Sequence, residues 1–144
     1  MKLNRFSIQL ALLAVLLLSA APLHAQTAST SLAGNYLPSV LAASPAHRDS
    51  LMEMIKGQPG LPFWVRALVR QPRYVALASE EVAVKDKRMQ LFRACEPRTC
   101  ESSWIRVLYS EDGKRALLYV SDAKLGIKIF GDPTPEELTF LARP

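Results

Sequence analysis

The chain opens on a continuous apolar run, Phe6 to Leu18, broken only by Ser7 and Gln9. Met1-Lys2-Leu3-Asn4-Arg5 before it is short and basic, and Pro22-Leu23-His24-Ala25 after it ends on a small residue. That order predicts a secretory leader over residues 1–25, cut after Ala25. The run falls short of the roughly 20 apolar residues a membrane span needs, and no cysteine stands at the cut for a lipid anchor. Residues 26–44 are rich in Ser, Thr and Ala and read as a flexible lead-in, docking weakly through Tyr36, Leu37, Val40 and Leu41.

A helical period follows. Ser44 suits an N-cap and Pro45 the first helical position. His47, Leu51, Met54 and Ile55 share one face, and Gly57 ends the run. Pro62 opens a second short helix that Pro72 closes, with Phe63 and Trp64 expected to plug the core.

From Arg73 the period shortens to that of strands. Residues 74–77, 82–84, 89–92, 104–109, 117–120 and 127–130 are rich in β-branched and aromatic side chains. Lys85-Asp86-Lys87 and Asp112-Gly113 mark hairpin turns. The chain then returns to a helix, with Thr134 as N-cap, Pro135 at the first position and Glu137 completing a Thr-x-x-Glu capping box. Leu138 and Leu141 face inward. The order predicts a single α+β domain over residues 26–144, an antiparallel sheet with helices packed on one face.

Composition narrows the partners. The chain carries 18 Lys+Arg against 13 Asp+Glu, and losing Lys2 and Arg5 with the leader leaves 16 against 13, a net charge of +3. The cations are scattered, with neither a basic block nor a basic-aromatic ladder, which argues against nucleic acid. Export to the periplasm is expected, with no membrane attachment after cleavage, and an oxidising compartment permits a disulfide.

The only two cysteines enclose Cys95-Glu96-Pro97-Arg98-Thr99-Cys100. If bridged, they close a loop so short that the chain-entropy gain is about 2 kcal/mol. Pro97 fixes its own φ and restricts Glu96, so the loop would meet a partner already ordered. A structural staple on a hairpin end and a presentation loop both fit these six residues. The position between two strands, at one end of a rigid sheet, favours presentation.

Catalytic chemistry has no footing here. Neither a Gly-x-Ser-x-Gly elbow, a His-Glu-x-x-His pair, a glycine-rich phosphate loop nor a calcium loop occurs. His47, the only histidine after residue 25, has no partner at ligand spacing and reads as a packed or rim side chain. Glu80-Glu81 and Glu136-Glu137 are neighbouring carboxylates of the kind that stay solvated, and Glu137 has a capping task. The expectation is a protein that is not an enzyme and takes no cofactor or metal.

Met54-Ile55-Lys56-Gly57, then Leu61-Pro62-Phe63-Trp64-Val65, then the Cys95–Cys100 loop, then Ile105-Arg106-Val107-Leu108-Tyr109-Ser110-Glu111 follow one another in this order. In these features the chain resembles Ivy, the family of periplasmic inhibitors of vertebrate lysozyme. The resemblance implies a five-stranded antiparallel sheet and a disulfide between Cys95 and Cys100. It also implies that the loop enters the active-site cleft of a c-type lysozyme. In that family the loop reads Cys-Lys-Pro-His-Asp-Cys, and its histidine hydrogen-bonds the two catalytic carboxylates. Here Glu96 replaces the lysine, Arg98 the histidine and Thr99 the aspartate, while Pro97 is kept. Arg98 offers a cationic planar fork to a carboxylate. Glu96 brings a like charge towards the cleft, which costs free energy on desolvation.

Two readings follow. In the first, the loop residues Glu96, Pro97, Arg98 and Thr99 block a c-type lysozyme or a related lytic transglycosylase. In the second, the chain is a periplasmic binding module that kept the fold and lost the inhibitory residues. Dimers occur in the family, and no motif here decides that state.

Overall fold

The computed structural model describes residues 30–143. The leader expected over residues 1–25 lies outside them. Elements run in the order α1 (Leu37–Ala43), α2 (Pro45–Ile55), α3 (Phe63–Arg66), β1 (Val75–Ala76), β2 (Glu80–Val84), β3 (Lys87–Cys95), β4 (Ser103–Ser110), β5 (Ala116–Asp122), β6 (Gly126–Phe130) and α4 (Pro135–Leu141). The strands make one antiparallel sheet, a meander from β2 to β6. It is six-stranded by count and five strands wide, because β1 and β2 both pair with the same side of β3. Between them Ala78 and Ser79 leave the ladder, and the lead-in fills the gap. Gly34 N donates to Ser79 O at 2.9 Å and Ser79 N to Asn35 O at 2.7 Å.

The α+β expectation holds, and the helices take both faces of the sheet. On the first face α1, α2 and α3 bring Leu37, Leu41, Leu51, Ile55, Trp64 and Val65 against Phe92, Ile105, Val107, Tyr109, Leu118 and Val120. On the second, α4 brings Leu141 against Val82, Met89, Leu91, Leu108 and Leu117. This explains why β4 shows no clean alternation: both sides of it are covered.

Local signals act as their chemistry requires. The Ser44 side chain caps α2 by accepting from His47 N. Thr134 and Glu137 form the reciprocal capping box of α4. Lys85 and Asp86, with φ of 45° and 63°, form the two-residue β2–β3 turn, both in the left-handed region that matches strand twist.

Three expectations need correction. The helices, expected on one face of the sheet, take both, because the central strands are apolar on both sides and α4 covers the second. Residues 37–43 are not a flexible lead-in but the helix α1, in which Leu37 and Leu41 are buried. Phe63 does not plug the core; it is 72% exposed, and Trp64 alone enters. A helix of four residues can turn only one of two adjacent aromatics inward.

Candidate functional site: the stapled loop between β3 and β4

Strands β3 and β4 pair up to Cys95 opposite Trp104, and the chain between them projects from the end of the sheet. Cys95 and Cys100 are bonded, with Cα atoms 4.9 Å apart. Within the staple Thr99 N donates to Glu96 O at 3.1 Å, closing a four-residue turn. Pro97 takes its second position and Arg98, with φ +72°, its third. That is the pattern of a type II turn, in which proline suits the second position and the third must be left-handed. A non-glycine residue there costs on the order of 1 kcal/mol or more, and such outliers cluster where function requires them.

The turn decides which side chains reach solvent. Pro97, Arg98 and Thr99 are exposed, and Glu96 is half-buried. Thr99 Oγ1 donates to Glu96 Oε2 at 2.9 Å, which holds the carboxylate inside the loop. Among the described residues, no ion pair uses Arg98. The arrangement therefore presents one cation at the tip of a closed, pre-shaped loop, with an internally bonded carboxylate behind it.

The base of the loop is fixed from below by residues that sequence reasoning did not assign to the site. Trp64 Nε1 donates to Ser103 Oγ at 2.9 Å, and Ser103 Oγ donates to Asp122 Oδ2 at 2.8 Å. Burial pushes the Asp122 carboxyl up, but donation from Ser103 and from the Lys124 and Leu125 amides outweighs it and holds the group below its ordinary value. Glu96 N donates to Ser103 O at 3.0 Å, and Ala123 N to Ser102 O at 2.8 Å, tying the loop to the β5–β6 turn. The available signal was Trp64 itself, since a buried indole N–H requires an acceptor.

The structure thus brings together all six residues singled out in the sequence, Cys95, Glu96, Pro97, Arg98, Thr99 and Cys100. His47 lies elsewhere, packed on Tyr109 with ring centroids 4.7 Å apart. No family model and no curated protein matches the chain.

Proposed function

We propose that this chain is a periplasmic inhibitor of the Ivy type. Its Cys95–Cys100 loop enters the cleft of a c-type lysozyme or a related lytic transglycosylase. The observation that supports this most is Arg98, exposed and unpaired within a type II turn that the disulfide and the Trp64–Ser103–Asp122 chain keep in one shape. A c-type lysozyme works with one protonated and one ionised carboxyl group flanking the scissile bond. A guanidinium lodged between them pairs with the ionised group and occupies the place of the sugar. The chain acts as a plug and performs no turnover. Because the loop is pre-ordered, little conformational entropy is lost on docking.

A second reading, a binding module without inhibitory activity, draws on Glu96. Its carboxylate enters with the loop, and a lysozyme cleft already holds carboxylates. A lytic transglycosylase, with a single catalytic carboxylate, suits the Glu96–Arg98 pairing better.

The deciding measurement titrates residues 26–144 against a c-type lysozyme and a soluble lytic transglycosylase on cell walls, beside Arg98→Ala. Stoichiometric inhibition lost in Arg98→Ala is the expected result. Binding without inhibition, unchanged by Arg98→Ala, would establish the second reading.

A further inference from the structure

The second sheet face is only partly covered. Helix α4 packs over Leu91, Leu108, Leu117 and Tyr119, and its end reaches Arg106, so Tyr119 and Arg106 are buried and the row beyond them is left open. The next two rows towards the stapled loop follow from strand register. One is Val75, Cys95, Trp104, Ser121 and Ile127; the other is Arg93, Arg106, Tyr119 and Ile129. Paired residues in an antiparallel ladder project to the same face. The disulfide therefore sits on this face, beside Trp104.

At the centre of these rows Trp104 stacks on Tyr119, with ring centroids 5.4 Å apart, and the Arg106 guanidinium lies 4.7 Å from the Trp104 ring. Around them Val75, Ile127 and Ile129 are 43%, 62% and 42% exposed, and Leu77, opposite Arg93, is 48% exposed. The two arginines beneath are already engaged. Arg106 Nη1 donates to Leu141 O at 3.0 Å and also to Arg143 O. Arg93 pairs with Glu80 at 2.5 Å.

We propose that this shelf is the second half of the loop's interface: it seats an apolar, uncharged patch on the rim of the same target enzyme whose cleft the loop enters. The proposal rests on the inhibitor reading above. Three observations favour a protein surface as the occupant. A half-buried tryptophan flanked by exposed aliphatic side chains is the composition of a protein-binding hot spot. The exposed side chains of the shelf are aliphatic and offer no donors to sugar hydroxyls, and both arginines are engaged within the chain. Finally, a stable complex buries roughly 800 Å² per partner, more than a six-residue loop can cover, so surface continuous with it must contribute.

The test compares wild type, Leu77→Asp/Ile127→Asp and Arg98→Ala for inhibition of the two enzymes named above. Thermal melting and sedimentation are run on each, with the milder Ile127→Ser as a second shelf variant. A shelf variant that melts like wild type but inhibits at least tenfold more weakly is the expected result. Full inhibition by both shelf variants, with Arg98→Ala inactive, would overturn the shelf and leave the loop reading standing. Failure of the wild type to bind either enzyme would overturn both. A shelf variant that only turns a dimer into a monomer would assign the shelf to a second copy of the chain and overturn the proposal.

Discussion

At one end of the sheet the β2–β3 and β4–β5 turns meet α4 and the first turn of α2. At the other end the β3–β4 loop and the β5–β6 turn meet solvent. The two arginines of the first end are paired internally. Arg88 pairs with Glu81 and Glu111, each at 2.9 Å, and donates to Thr30 O. Arg115 pairs with Glu137, whose other task is the α4 cap. A cleft of about 850 Å³ opens there, and its walls include these same paired groups. The loop end bonds its polar groups at the base and within the staple, and leaves Arg98 and a partly exposed apolar row free of ion pairs. The difference is one of construction: paired side chains tie the first end to the fold, whereas the second has a rigid base under an unpaired tip, as the proposed inhibitory role requires.

The sharpest way to break this contrast is a glycine at each end. Gly113 has φ +72°, and a Cβ there would meet His47 Nδ1 at 2.1 Å. Gly126 has φ +77° and open space. Overpacking costs roughly 1–3 kcal/mol and a left-handed alanine roughly 1–2. Gly113→Ala should therefore lose about 3 kcal/mol in urea titration and Gly126→Ala about 1. Equal losses would mean that the hairpin end is no more tightly built.

Next in size is the staple. Replacing Cys95 and Cys100 together by serine should cost about 2 kcal/mol, the entropy of so short a loop. Inhibition should fall much further than stability does, as loop ordering is transferred to the binding step. Parallel losses would make the disulfide a structural element only.

Arg98→Gly should change stability by less than about 1 kcal/mol in either direction. The left-handed strain is relieved, while glycine gains freedom in the unfolded chain. A clear loss would show that the arginine side chain holds the loop and is not simply presented by it.

The smallest effect concerns acid. Burial lowers the pKa of His47 from its ordinary 6.5, and the nearby Asp112 carboxylate opposes that. A folded pKa below the unfolded one means that the unfolded chain takes up the proton first. Stability should therefore be full above pH 6.5 and fall as the pH drops from there towards the lower folded value. His47→Gln should remove that step and leave the later loss at lower pH. That later loss follows from Glu137, held low chiefly by Arg115 against burial, and from Asp122. An unchanged profile in His47→Gln would place the first step elsewhere.

What was legible in the sequence was local chemistry. The two helix caps, the two hairpins and the cysteine pair each depend on residues a few positions apart, and each sits where expected. What was not legible depends on distant parts of the chain. Helix α1 has Pro38 in its first turn but no side-chain cap and no acidic residue there, so it rests mainly on the burial of Leu37 and Leu41 against α2 and β3. The break at Ala78 and Ser79 needs the lead-in to be in place. The shelf cannot be read from strands that are apolar on both sides, because its exposure depends on where α4 stops. Within the site, the loop residues were legible, and the Trp64–Ser103–Asp122 base was not, since its members are far apart in the chain.

The break in the first strand also bears on solubility. A free sheet edge offers unpaired amides and carbonyls to any extended chain, and a long, unbroken edge is a template for aggregation. Here the edge is divided into runs of two and five residues. Ser79, between them, spends its amide and carbonyl on residues 34 and 35, and its hydroxyl accepts from Asn35 N at 3.0 Å and donates to Leu32 O at 2.9 Å. A stranger's strand cannot run the length of that edge, so the lead-in works as a guard as well as a filler.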